Sequence, residues 1–201
     1  SRFSNNNGDF LPMTYTLAAS RFVASGSRDI LPRGMLGAMI YRHTPFAGDY
    51  QGHQLSLRSA LYLPGFLQYH GIVLEAEREE QRRVNYLFSS QYAMPRGYDG
   101  ITVEKFSRVG ATYAFPLFYP DYALGPLAYF RRVQGNVFYD YGVIASRDNS
   151  VRFLLRSLGA EVTTDVAPIQ LRSTLRAGLR FNYRIDELPH WRTNLLFSLP
   201  F

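Results

Sequence analysis

The sequence predicts an all-β protein, an antiparallel transmembrane β-barrel with about nine strands present. Three observations lead there. Apolar and polar residues alternate with period 2 from end to end, while helical periodicity is almost absent. The alternating segments run to about 10–14 residues; the mode in water-soluble folds is about 5–6, and a tilted strand needs about 9–11 to cross a bilayer. Aromatic residues also sit near segment ends (Tyr15, Tyr69, Phe118, Tyr183, Trp191), where an interfacial girdle belongs.

Composition narrows the classes. The chain has 201 residues, 46% of them hydrophobic and 19% charged, with 15 Phe, 15 Tyr and one Trp. That balance excludes a disordered chain. With no cysteine there is no disulfide framework, thiolate metal site or thiol nucleophile. No apolar run reaches 18 residues, and Tyr113 to Phe130, the nearest approach, is broken by Pro116, Pro120 and Pro126. The chain opens at Ser1 without a visible signal peptide, so its start is expected to be processed or cut. Its formal charge of +6 comes almost wholly from arginine, Lys105 being the only lysine. Those arginines fall at regular intervals inside the alternating segments, unlike a basic face that grips phosphates from loops and helices.

Taken in order, the expected strands are 13–25, 34–43, 52–63, 67–78, 104–117, 130–142, 153–166, 171–184 and 191–201. In 130–142, Val133, Gly135, Val137, Tyr139 and Tyr141 oppose Gln134, Asn136, Phe138 and Asp140. In 153–166, Leu158, Ala160, Val162 and Val166 oppose Ser157, Gly159, Glu161 and Asp165. The next strand puts Arg172, Arg176, Arg180 and Arg184 on one face and Leu175, Leu179, Phe181 and Tyr183 on the other. The last alternates Trp191, Thr193, Leu195, Phe197, Leu199 and Phe201 with Arg192 and Asn194. Connections alternate in character: short at 63–66 and 166–170, longer and polar at 44–51, 79–103 and 144–152. The connection at 186–190 is short although it belongs with the second group. The arginine ladder has two readings, an anion-attracting lumen or a structural layer paired with Glu161 and Asp165. The acids on the neighbouring strand favour the second.

Several motifs in fixed order then carry a resemblance. Pro95-Arg96-Gly97-Tyr98 lies in the long connection after the fourth strand; downstream come Ala114-Phe115-Pro116-Leu117, Val137 to Gly142, Leu155 to Glu161 and a final strand ending at Phe201. In this order they resemble the C-terminal half of the BamA-like outer-membrane insertase and translocase superfamily, of surface-antigen type. Those barrels carry an Arg-Gly-Phe/Tyr loop motif followed by five strands. The resemblance covers roughly residues 95–201 by motif and 13–78 by strand pattern alone. Tyr119 to Leu127 is similar to relatives with a different N-terminal soluble module.

The resemblance implies a sixteen-stranded barrel of which this chain is the C-terminal part, lacking the first strands and soluble domain. It implies a bacterial outer-membrane location and a role in inserting or translocating protein or lipid, without covalent chemistry. A passive pore, or a barrel anchoring a soluble domain or surface complex, is the alternative. The implied partners are outer-membrane lipid, the barrel-assembly machinery acting on the C-terminal strand, and further outer-membrane or periplasmic subunits. Nucleic acid is not among them, and no cofactor is implied. In the family the loop arginine folds into the lumen, which makes Arg96, Gly97 and Tyr98 the loop-lock motif and Asp140 the partner carboxylate. Asp140 lies on the polar face of its strand by parity, independently of the resemblance. Thr112 stands where relatives often carry an inward Glu, so a lock with one carboxylate is expected. Arg96 as a solvated loop cation is the competing reading. Phe197, Leu199 and Phe201 correspond to the family's C-terminal assembly signal.

Other chemistry finds no support. His43, His53, His70 and His190 are scattered without ligand spacing, so no metal site is expected. His53 and His190 read as loop residues, His43 as a strand end and His70 as a lumen or girdle residue. No Gly-x-Ser-x-Gly elbow or phosphate-cradling loop is present, and no enzyme is expected. Glu75, Glu77, Glu79 and Glu80 read as two inward strand positions running into a solvated loop. A soluble arginine-rich protein binding polyanions is the third and weakest reading; it predicts salt-dependent binding.

Overall fold

The computed structural model describes residues 10–23, 26, 30–46, 50–125, 128–148, 150–168 and 175–198. The long alternating segments give ten strands: β1 (Met13–Val23), β2 (Arg33–His43), β3 (Gly52–Pro64), β4 (Gly71–Arg83), β5 (Lys105–Phe118), β6 (Tyr122–Leu124), β7 (Ala128–Ala145), β8 (Arg152–Pro168), β9 (Leu175–Arg184) and β10 (Trp191–Ser198). All lie in one antiparallel sheet, in sequence order apart from β6, which folds back on the start of β7. No helix occurs among the described residues. Among the described residues the sheet is open: β1 pairs only with β2 and β10 only with β9.

Side-chain direction alternates along each strand, and here the two faces have inverted polarity. Gln54, Glu77, Glu79, Arg108, Gln134, Asp140, Ser157, Glu161, Asp165 and Asn182 are buried on one face. The opposite face leaves Leu57, Leu74, Val109, Val137, Leu158, Val162, Leu179 and Leu195 exposed. Large apolar residues exposed in one contiguous area mark a surface that meets something other than water.

The observed elements refine the expected ones. β4 starts at Gly71 rather than 67, because residues 65–70 make a tight turn. The Gly65 amide donates to the His70 carbonyl at 2.9 Å, and Tyr69 takes a left-handed φ of 65°. At its other end β4 runs on to Arg83, so Glu79 is a fully buried strand residue instead of a loop residue. Its carboxylate accepts from Ser56 Oγ at 2.8 Å, Gln81 Nε2 at 3.0 Å and the Gln91 amide at 2.9 Å, which replaces the lost hydration. β7 and β8 span 18 and 17 residues, longer than alternation alone indicated. His53 belongs to β3, directly opposite His43, with the rings parallel at 6.2 Å. The starts and ends expected at 24–25, 171–174 and 199–201, including Arg172, Leu199 and Phe201, lie outside the described residues.

Candidate functional site: a loop pinned to the polar face

The connection 84–104 between β4 and β5 lies on the polar face, held by a series of hydrogen bonds from β3 to β10. Gln54 Nε2 donates to the Ser89 carbonyl and Gln81 Nε2 to the Phe88 carbonyl, both at 3.1 Å. The Ala93 amide donates to Glu77 Oε2 at 2.8 Å. The Tyr92 ring stacks on Phe106 with centroids 3.7 Å apart, and burial raises the Tyr92 hydroxyl pKa. A turn closed by the Tyr98 amide on the Pro95 carbonyl, at 3.1 Å, then aims Arg96 at the sheet. Gly97 in this turn has φ 96°, and a Cβ there would lie 3.0 Å from Asn182 Cβ, so both backbone shape and space call for glycine.

Arg96 meets Asp140 with three donors. Its amide and Nε reach Oδ2 at 2.9 and 2.8 Å, and Nη2 reaches Oδ1 at 3.0 Å. Nη2 also donates to Thr112 Oγ1 at 2.9 Å, so the threonine in the position of an expected acid takes part in the contact. The guanidinium carbon lies 3.7 Å above the centre of the Phe138 ring. Glu161 Oε1 is 3.9 Å from Nη1, which places a second carboxylate beside the arginine where one was expected.

Arg108, from the inward face of β5, completes the cluster. Its Nη2 donates to Asp140 Oδ1 at 2.9 Å and to Glu75 Oε2 at 3.0 Å, and its Nη1 lies 3.7 Å from Glu77. Asp140 thus accepts four hydrogen bonds with no solvent exposure, filling the acceptor capacity of a carboxylate. Charge in such a site is tolerated only when paired and fully hydrogen-bonded. Gly110, opposite Asp140 in the register, leaves the necessary room, since a Cβ there would sit 2.6 Å from Asp140 Oδ1.

The far end of the loop reaches the last two strands. The Tyr98 hydroxyl donates to the Arg156 carbonyl at 2.9 Å, and burial raises its pKa. Arg192 on β10 donates to the Gly97 carbonyl at 3.2 Å and pairs with Asp99 at 2.8 Å. Arg156 itself binds Asp186 in the β9–β10 turn, and that bond lowers the Asp186 carboxyl pKa. The loop is therefore fastened to an edge strand as well as to the sheet centre.

The arginine ladder is placed by register. Glu161 faces Arg180 and Asp165 faces Arg176 across β8 and β9. Arg180 Nε donates to Glu161, and Arg176 Nε donates to Asp165 Oδ1 at 2.8 Å. Asp165 receives a second arginine, Arg132, from β7, while Asn136 donates to Glu161 Oε2 at 3.0 Å. Arg184 leaves the series: it donates to the Pro189 carbonyl at 3.0 Å and pairs with Glu187 at 3.2 Å. Phe197, of the expected assembly signal, points outward on β10 and is 71% exposed.

Sequence reasoning singled out neither Arg108, Gly110, Phe138 as a ring partner, nor Arg192. Parity alone could have placed Arg108 on the face of Thr112, but its partners come from β4 and β7, and only register assigns them. The arrangement is suited to holding a segment of chain in a charged interior. Among the described residues no group of three or more His, Asp or Glu is placed to hold a metal ion. Comparison with protein-family models, curated proteins and solved structures finds no match to this chain.

Proposed function

We propose that the chain forms part of a transmembrane β-barrel of the bacterial outer membrane, of the BamA-like superfamily, that assists insertion or translocation of protein or lipid. One observation carries this reading: a long loop folded onto a buried, charged face, pinned through Arg96 and Asp140, while the opposite face is apolar and exposed. In a bilayer that polarity suits a barrel with lipid outside and polar groups within. The unpaired edges of β1 and β10 support closure by further strands, to sixteen on the family's pattern.

On this reading the mechanism is conformational. The pinned loop braces the inner wall from β3 to β10, and Arg192 carries that bracing to the strand at the seam. Displacing the loop would release the seam for an incoming strand or lipid. Deleting Phe201 reduces assembly of the folded barrel, and unchanged levels of folded deletion mutant would remove the assembly signal from the account. The direct test is Arg96→Ala in cells or proteoliposomes that depend on this protein. Insertion or translocation falls while the folded protein persists; full activity with a released loop would overturn the transport reading.

A second reading, a structural barrel that anchors a soluble domain or surface complex, is favoured by a specific feature. Arg176 and Arg180 on the inner wall are each engaged by a carboxylate, Asp165 and Glu161, as in a structural layer. An anchor tolerates Arg96→Ala without loss of its partners and shows no conductance in planar bilayers. A passive pore would conduct.

A further inference from the structure

The outward face contains a furrow with a cationic head and an apolar body. At the loop end a hollow of about 370 Å³ is lined by Arg78, Glu80, Lys105, Ser107, Val143 and Arg152. Through Arg78, Ser107 and Val143 it continues into a hollow of about 600 Å³ over Gly37, Leu57, Ser59, Ala76, Val109 and Tyr141. Through Ser59, Ala76 and Val109 that hollow joins another of about 590 Å³ reaching Met35, Leu61 and Leu74.

Strand register explains the shape. Gly37, Ser59 and Ala76 are directly paired across β2, β3 and β4, so three small side chains form a floor. One row of larger residues, Met39, Leu57 and Arg78, runs on one side; Met35, Leu61 and Leu74 run on the other.

The head carries three cations against one carboxylate. Glu80 pairs with Arg78, and the Lys105 ammonium donates to the Arg147 carbonyl. Among the described residues Arg152 makes no ion pair, and it is exposed. Positive charge just beyond an apolar surface is where a headgroup phosphate would sit, with basic residues near such a surface favouring anionic lipid.

We propose that this furrow binds one anionic phospholipid, its phosphate held by Arg78, Lys105 and Arg152 and an acyl chain laid over Gly37, Ser59 and Ala76. The inference rests on the membrane reading of the outward face. Its support is the continuity of a charged pocket with an apolar trough, which fits an amphiphile better than a purely polar or purely apolar partner.

The test is native mass spectrometry of the protein purified in detergent and titrated with phosphatidylglycerol or phosphatidylcholine. Wild type retains one phosphatidylglycerol in preference to phosphatidylcholine. Lys105→Gln with Arg152→Gln weakens that retention about 30-fold, roughly five-fold per cation. It weakens phosphatidylcholine, whose choline cation offsets the same phosphate, by less, so the preference shrinks. Lys105→Arg with Arg152→Lys keeps the preference, which controls for folding. Ala76→Leu, which fills the trough, weakens both lipids, and excess inorganic phosphate fails to displace the bound one. Equal retention of both lipids by wild type, or no change in the double Gln variant, overturns the site. So does a second copy of the chain or a protein partner in place of lipid. A protein that stays soluble without detergent overturns the membrane reading itself; one that needs detergent yet lacks the lipid preference overturns only the site.

Discussion

Replacing Arg96 by Ala removes a guanidinium that lies 14% exposed against a fully buried carboxylate. Two of Asp140's four hydrogen bonds disappear with the side chain, as do the contact with Thr112 and the face of Phe138. Breaking a buried ion pair costs about 3–5 kcal/mol. Arg108 stays bound to Asp140 Oδ1, so the carboxylate is never alone and the lower limit applies. About 3 kcal/mol corresponds to a shift of roughly 150-fold in the equilibrium between docked and released loop. Hydrogen exchange reads that shift at the Gln91 and Ala93 amides, whose acceptors are Glu79 and Glu77. Their protection falls by about two orders of magnitude, while amides in the β7–β8 ladder keep theirs. Arg96→Lys restores charge without the two-pronged geometry and gives an intermediate loss. Unchanged exchange at Gln91 and Ala93 in Arg96→Ala would refute the idea that this contact pins the loop.

Four further perturbations probe other parts of the arrangement. Gly110→Ala places a methyl 2.6 Å from Asp140 Oδ1 and should destabilise the protein by about 1–3 kcal/mol, read as a lower unfolding midpoint. A double-mutant cycle on Arg180 and Glu161 should give a coupling of about 1 kcal/mol; zero coupling would reduce the ladder to a coincidence of register. Tyr98→Phe loses the bond to the Arg156 carbonyl and should cost about 1 kcal/mol of loop docking, seen as faster proteolysis near residue 98. In the 146–151 hairpin, the Ser146 and Ser150 hydroxyls hold the Asp148 carboxyl down to about 2. A lowered folded pKa means that this stabilisation is complete above the ordinary Asp range and is lost as pH falls through about 2. NMR titration of the Asp148 carboxyl carbon checks it, an ordinary midpoint near about 3.9 contradicting the hydrogen-bonded turn.

Nine of the ten strands and the two faces were legible because alternation has a fixed period that survives without any knowledge of partners. β6 escaped because three residues, Tyr122 to Leu124, cannot display a period, and Pro120 and Gly125 beside them read as a turn. The acidic run from Glu75 to Glu80 misled in a different way. Two inward strand positions were expected, and Glu77 is one of them. Charge density placed Glu79 in a solvated loop, whereas it stays in β4, points inward and is buried by the returning loop. Where a loop of residues 84–104 comes to rest is a tertiary fact that no local pattern encodes. Arg96 and Asp140 could be paired beforehand because a motif marked one and parity oriented the other. Arg108 carries no motif, and its role depends on which strands flank β5.

The central claim is that the exposed apolar face meets lipid while the charged face is enclosed. Because the chain has no cysteine, single-cysteine variants can each carry one spin label without background. Labels at Val137→Cys, Leu179→Cys and Leu195→Cys report the outward face, and Asn194→Cys reports the inward face beside Arg192. Collision with oxygen, which concentrates in the acyl region, is compared with collision with a water-soluble nickel chelate in reconstituted membranes. The account predicts high oxygen and low nickel accessibility at the three outward positions, with the opposite preference at Asn194. Nickel accessibility at Val137, Leu179 and Leu195 equal to that of a water-exposed site would contradict it.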